Sequence, residues 1–111
     1  MIDIRYENGK IVHNGQRYTA IKELDQKLTD LGIPHDFHEM QDGYQICVPK
    51  NSGNWFQGDA IQHFGSYGAS GNLLEVWGFD LNDPAGYLTV EQALTYFVDW
   101  WKKEGGVIDE R

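Results

Sequence analysis

The fold of this chain depends on the stretch HFGSYGASGNLLEVWGF, residues 63–79, where a loop with three glycines leads directly into a nearly continuous apolar run. The run over 73–79 predicts a β-strand, and residues 59–64 on the other side of the loop predict another. Two strands joined by a short loop, here residues 65–72, pair most simply as antiparallel neighbours. The stretch therefore predicts an antiparallel sheet.

A hairpin is predicted upstream of this stretch. The runs HDFHEM (35–40) and GYQICVP (43–49) flank turn-forming residues at 41–43. In the second run the side chains alternate, so Gln45 and Cys47 face away from the apolar set. These two strands extend the antiparallel sheet.

Two helices are predicted on either side of the sheet-forming segments. Leucine and isoleucine recur at three- and four-residue intervals over 20–31, with Thr19 as the expected N-cap and a glycine at the end. Thr89 and Gln92 have the spacing of a capping box before a second apolar period. This pattern predicts a helix over 90–104.

The fold class that follows is α+β. We expect an antiparallel sheet of about four main strands with an early helix and a C-terminal helix on one of its faces. Asn-Gly pairs at 8–9 and 14–15 predict short additional strands at the N-terminus. Residues 82–86, which contain Asn, Asp, Pro and Gly, are expected to break the chain. A length of 111 residues fits a single domain over 1–111.

The charge of the chain is strongly asymmetric. The net charge is −8, and the fifty-one residues between Lys50 and Lys102 contain no lysine or arginine. That window contains six acidic residues, which are Asp59, Glu75, Asp80, Asp83, Glu91 and Asp99. Because binding to phosphate requires Lys or Arg, direct contact between this half and a nucleic acid is not expected.

The single cysteine and the hydropathy of the sequence indicate the cellular compartment. The single cysteine, Cys47, cannot form an internal disulfide and fits a reducing environment. No apolar run approaches the length of a membrane span, and the first residues lack the pattern of a signal peptide. We therefore expect a cytoplasmic protein that does not bind a membrane.

Three motifs carry a resemblance to a known group of proteins. They are ELDQKLTDLGIPHDFHEMQDGYQI (23–46), HFGSYGASGNLLEVWGF (63–79) and GYLTVEQA (86–93). Over about residues 22–95 the chain resembles small proteins encoded by phages and prophages of Gram-positive bacteria. The resemblance implies a bacterial cytoplasm and an accessory role, and it carries over no catalytic residue.

The glycine loop differs from known ligand-binding loops. Gly65, Gly68 and Gly71 recur every three residues, whereas a dinucleotide loop has a different spacing and precedes a helix. Asn72 stands where the final glycine of a nucleophile elbow would be. The loop is therefore predicted to be a hairpin connection, with Tyr67 at its tip as a candidate contact anchor.

Histidines and the cysteine do not form a recognisable catalytic or metal motif. The spacing of His35 and His38 places them on opposite faces of a strand, and paired cysteines are absent from the sequence. Cys47 lies between Ile46 and Val48 and is expected to be a small apolar side chain in the sheet. No metal, cofactor or catalytic residue is predicted.

The first functional hypothesis is a non-enzymatic accessory protein. It would bind another, basic protein through an acidic and aromatic face within 51–101, and one version of this idea is competition with nucleic acid for that partner. The anchors would be Trp55, Tyr67 and Trp100, with charge supplied by Asp59, Glu75, Asp80 and Asp83.

The alternative hypothesis is a small enzyme or ligand-binding protein. Its pocket would lie under the loop of residues 65–72 and would be lined by Asp59, His63, Ser66, Tyr67 and Trp77.

Assembly is a separate question raised by the second helix. Its apolar arc covers about 200°, about twice what a helix on a protein surface needs. Either N-terminal Ile2, Ile4 and Tyr6 cover the edge formed by Tyr96 and Trp100, or these two rings pair in a symmetric homodimer.

Overall fold

The N-terminal segments form a small sheet of their own. In the computed structural model residues 3–7, 10–14 and 18–108 are described, the first two segments by their backbone alone. Strands β1 (Asp3–Glu7) and β2 (Lys10–Asn14) pair antiparallel as a two-stranded sheet. The predicted N-terminal strands are therefore confirmed, while the turn residues at 8–9 lie outside the described part of the chain.

The main sheet has five antiparallel strands in the order of the sequence. Each strand pairs with the next through a local connection, so the chain runs back and forth across the sheet without a crossover. The strands are β3 (Asp36–Met40), β4 (Gly43–Val48), β5 (Gly58–Gln62), β6 (Leu74–Gly78) and β7 (Ala85–Leu88).

Two helices pack against each other and against one face of this sheet. They are α1 (Thr19–Asp30) and α2 (Val90–Lys103), each within one residue of the predicted bounds. The capping box of α2 is confirmed. The Thr89 side chain accepts from the backbone of Gln92 at 3.2 Å, and the Gln92 side chain accepts from the backbone of Thr89 at 2.9 Å. The α+β class, with an early and a C-terminal helix, is thus shown.

The core lies between the helices and the sheet. Side chains along each strand alternate between its faces, and most of those that face the helices are aliphatic and fully buried. They meet the apolar stripes of the two helices, and the residues without exposure include Ile21, Leu24, Leu28, Ile46, Val48, Ala60, Leu74, Val76, Ala93 and Phe97.

The fifth strand, β7, is not predicted by the sequence pattern. Residues 82–86 are expected only to interrupt the chain, but Ala85–Leu88 pairs with β6. The pairing is irregular between Leu74 and Val76, and Tyr87 has a φ of 57°. Because this bulge breaks the alternation of a regular strand, no period of two marks β7 in the sequence.

The start of α1 also differs from the prediction. Thr19 is not the N-cap; that position is Tyr18, whose side chain makes no capping hydrogen bond. Instead, the backbone N–H of Ile21 donates to Gln62 Oε1 at 3.0 Å, and that of Ala20 donates to Asn72 Oδ1 at 3.1 Å. The free donors of the first helical turn are satisfied by side chains from β5 and the glycine loop.

The edge of the apolar surface of α2, formed by Tyr96 and Trp100, contacts other residues of the same chain. Tyr96 stacks on Phe79 with a ring separation of 6.2 Å, and the indole of Trp100 donates to Gln57 Oε1 at 3.0 Å. Both rings are half-buried against the core. The predicted cover by Ile2, Ile4 and Tyr6 lies outside the described side chains, and the homodimer stays a prediction.

Candidate functional site on the outer face of the sheet

The face of the main sheet opposite the helices carries three of the predicted binding residues, Asp59, Glu75 and Trp77. We call it the outer face. The strand registers align two rows of side chains across it. The first row contains Asp36, Cys47, Asp59 and Trp77, and the second contains His38, Gln45, Ile61 and Glu75.

Asp59 is a buried carboxyl in the middle of the outer face. It is 7% exposed, and Gln45 Nε2 donates to its Oδ2 at 2.8 Å. Burial raises the pKa of Asp59 above its usual range, against hydrogen bonds from Gln45 and the Trp77 backbone that lower it. The sequence predicts Asp59 as part of the charge of a binding face, and with so little of the residue exposed that role stays a prediction.

A chain of hydrogen bonds connects Asp59 to the surface. Because Gln45 donates its amide N–H to Asp59, its Oε1 is directed the other way, 2.7 Å from Nε2 of the exposed His38. An amide oxygen can only accept, so this ring nitrogen of His38 carries its hydrogen. This series of hydrogen bonds orients the Gln45 side chain and holds the Asp59 carboxyl in place.

Cys47 neighbours Asp59 on the next strand and is chemically inert by its surroundings. The thiol is free and 3% exposed. Burial, together with the carboxyls of Asp59 and Asp36, raises the pKa of Cys47 to about 12. A thiol with so high a pKa does not supply the thiolate that nucleophilic chemistry needs, so the predicted role as a small apolar residue fits its position.

The glycine loop folds over the edge of the outer face at β6 and β7. The Tyr67 backbone N–H donates to Glu75 Oε1 at 2.8 Å, and the Tyr87 N–H donates to the Tyr67 carbonyl at 3.1 Å. A Cβ atom on Gly86 would clash with Cβ of Tyr67, and one on Gly68 would lie 2.9 Å from Cα of Tyr87. These two glycines allow the loop and β7 to pack backbone to backbone.

This packing brings two tyrosines together at the surface. The rings of Tyr67 and Tyr87 are stacked, with centroids 6.4 Å apart and planes 7° from parallel. Tyr67 is 55% exposed and Tyr87 is 68% exposed. Trp77, 51% exposed, lies two residues along β6 from Glu75 on the same face. The sequence does not single out Tyr87, because the pattern around it does not predict a strand.

The other end of the loop is used to anchor α1. Gln62, with no exposure, donates through Nε2 to Asn72 Oδ1 at 2.7 Å, and Asn72 Nδ2 donates to Thr19 Oγ1 at 2.6 Å. Asn72 adopts a φ of 57°, which asparagine tolerates better than most residues. The loop is therefore a hairpin connection, as predicted, whose polar groups at this end serve the fold.

The residues proposed for a pocket under the loop have separate roles. Ser66 is buried, and its hydroxyl bonds to the backbone of His63 within one turn. The ring of His63 bonds to the carbonyl of Phe64 at 2.8 Å. Asp59 and Trp77 lie side by side on the outer face. Their contacts do not direct these side chains toward one shared centre.

Two clefts formed by described residues lie elsewhere. One of about 410 Å³ is lined by the end of α1 and the segment after it, including His35 and Lys50. Another of about 310 Å³ lies beside Tyr96 on α2. Neither cleft is lined by Asp59, Glu75 or Trp77 of the outer face.

The remaining predicted binding residues lie away from the outer face. Trp55, 88% exposed, is in the connection between β4 and β5, and Asp80 and Asp83 are exposed in the connection between β6 and β7. Trp100 belongs to the helical layer, where it tilts against Trp101. Trp100 therefore lies on the side of the sheet opposite Glu75, and its role in binding stays a prediction.

Comparisons with known proteins give no family for the chain. No protein-family model, no curated protein and no solved structure matches it. Within residues 18–108, no group of three or more His, Cys, Asp or Glu side chains is arranged to hold a metal ion. Neither helix of the described chain has the length and apolar character needed to cross a membrane.

Proposed function

We propose that this protein is a non-enzymatic binding protein that docks a basic protein partner on the outer face of the sheet. The observation that supports the proposal most strongly is the exposure of Tyr67, Tyr87 and Trp77 beside the carboxylate of Glu75. Exposed aromatic residues in contact with one another are typical of the centre of a protein interface.

The charge pattern supports a basic partner. The outer-face strands β5 and β6 and the loop between them fall within the fifty-one residues that contain no lysine or arginine. Two lysines of α1 are engaged elsewhere, since Lys27 pairs with Glu91 at 3.2 Å and Lys22 lies over the Tyr44 ring. Complementary charge would steer a basic protein to the outer face and raise its rate of association.

Catalysis is not part of the proposal. The hydroxyl of Ser66 is bonded within its own turn, and the thiol of Cys47 is buried with a raised pKa. We further place the protein in a reducing bacterial cytoplasm, which the buried free thiol and the resemblance to phage and prophage proteins support.

The proposal is tested by affinity capture from bacterial lysate at low and high salt. The wild type is compared with a double variant, Trp77→Ser with Tyr87→Asn, and with Trp55→Ser as a matched loss of an exposed ring outside the outer face. We expect a basic protein to be captured by the wild type and by Trp55→Ser at low salt, and to be lost in the double variant. Retention of nothing basic, or equal retention by the double variant, would contradict the proposal.

A further inference from the structure

The stacked pair of Tyr67 and Tyr87 has the properties of a preformed binding surface. The two backbones are joined by the hydrogen bond from Tyr87 N to the Tyr67 carbonyl, and Gly86 lets Tyr67 pack directly on β7. More than half of each residue nevertheless remains exposed. Because the rings are already ordered, a ligand that stacks on them loses little conformational entropy of the protein.

A carboxylate is fixed at the base of this pair. Glu75 Oε1 accepts the Tyr67 N–H at 2.8 Å, which fixes the carboxylate at the backbone of Tyr67. A carboxylate has about four acceptor positions, so one such bond leaves capacity for further donors. No cation of residues 18–108 forms an ion pair with Glu75, because the ion pairs of that region are Lys27 with Glu91 and His35 with Asp25.

The combination of exposed ring faces and a fixed carboxylate distinguishes arginine from lysine. A guanidinium is planar, stacks on aromatic rings, and donates two parallel hydrogen bonds to a carboxylate. An ammonium is a compact and strongly hydrated charge that gains less from a ring face. A surface with acidic charge alone would attract the two equally.

From this arrangement we infer that the outer face recognises an arginine side chain of its partner, with the guanidinium stacked on the tyrosine pair and bonded to Glu75. The inference rests on the proposed function and specifies the partner chemistry at that site. It identifies Tyr87, which the sequence pattern does not single out, as a residue that determines specificity.

The test compares two peptides of equal length and charge, six arginines and six lysines, by calorimetric titration at low salt. We expect the arginine peptide to bind the wild type about two- to fivefold more tightly, which is the size of an exposed cation–π contact. Tyr87→Phe keeps the ring and should keep the preference. Tyr87→Asn removes one of the two rings with a residue that suits a φ of 57°, and it should reduce the preference for the arginine peptide.

Two further variants separate the contribution of the Glu75 charge to peptide binding from that of an exposed ring outside the outer face. Glu75→Gln retains an acceptor for the Tyr67 N–H and should weaken both peptides, whereas Trp55→Ser should change neither. Equal binding of the two peptides to the wild type, or a preference unchanged in Tyr87→Asn, would overturn the inference and leave the proposed function standing. Failure of both peptides to bind at low salt would contradict the proposed function as well.

Discussion

The two faces of the main sheet differ in composition and in the way they are covered. The inner face presents Ile46, Ala60 and Val76 in one row, all without exposure beneath the helices. The adjacent outer row places Asp59 and Trp77 side by side, the first buried and hydrogen-bonded, the second half exposed. Adjacent residues of one strand therefore belong to different faces, one that stabilises the fold and one that we propose for binding. The difference implies that substitutions on the two faces should affect different measurements.

The largest expected effect is in the core between the helices and the inner face. Phe97 is fully buried and meets Phe79 edge to face with a centroid distance of 5.0 Å. Phe97→Ala should lower the free energy of unfolding by about 3–5 kcal/mol, because it removes a large buried side chain and leaves a cavity. Denaturant titration measures the loss. A change of less than about 1 kcal/mol would mean that Phe97 does not occupy the centre of the core.

The next effect concerns the polar link between the sheet, the loop and α1. Gln62→Met keeps the volume but removes the acceptor of the Ile21 N–H and the donor to Asn72. We expect a loss of about 1–3 kcal/mol, since a buried donor is left without a partner. Hydrogen exchange at the Ile21 amide should accelerate. Gln26→Met makes the same chemical change at an exposed hydrogen bond of α1 and should lower the free energy of unfolding by less. Equal losses of stability in the two variants would contradict a special role for the Gln62 hydrogen bonds.

Asp59 should give the outer face a characteristic dependence of stability on pH. Its pKa is raised in the folded protein, so folding favours the protonated carboxyl, and this contribution is fully present below the ordinary value of 3.8. It is lost as pH rises through the folded pKa. The stability of the wild type relative to Asp59→Asn should therefore fall as pH rises from about 3 towards neutrality. The fall is about 1.4 kcal/mol for each pH unit that separates the folded pKa from the unfolded pKa.

Thermal or denaturant unfolding at several pH values measures this difference. Asp83→Asn, at an exposed position, controls for the loss of one negative charge. A wild type that gains stability relative to Asp59→Asn with rising pH would show that the hydrogen bonds from Gln45 and Trp77, and not burial, dominate at this carboxyl.

The smallest effect on stability is expected at the tyrosine pair. Tyr87→Asn removes an exposed ring, and asparagine suits the left-handed backbone at that position, so the free energy of unfolding should change by about 0.5 kcal/mol or less. Binding of a basic partner should nevertheless weaken. Parallel losses of stability and binding would place Tyr87 among the residues that maintain the fold.

The sequence predicts those parts of the fold that depend on neighbouring residues. The hairpin of β3 and β4, the antiparallel pair around the glycine loop, and the capping box of Thr89 and Gln92 all have local signals, and all are confirmed. The cap of α1 could not be predicted in this way, because Gln62 and Asn72 are 41 and 52 residues from the groups they satisfy.

The candidate site is predictable in part. The charge window and the loop single out Tyr67, Glu75 and Trp77, and the structure brings them to one face. Tyr87 has no such signal, since a bulged strand lacks the alternating pattern. The position of Trp100 also has no local signal, because its helical period does not show that its indole donates a hydrogen bond to Gln57, 43 residues away.

The most direct test of the outer face as the binding surface uses the indole N–H signals of the four tryptophans. The isotope-labelled protein is titrated with the six-arginine peptide at low salt and followed by nuclear magnetic resonance. The account predicts that the Trp77 indole and the amides of Glu75 and Tyr87 shift together, while the Trp100 indole, bound to Gln57, stays unchanged. Shifts concentrated at Trp100 and α2, or no shifts at all, would contradict it.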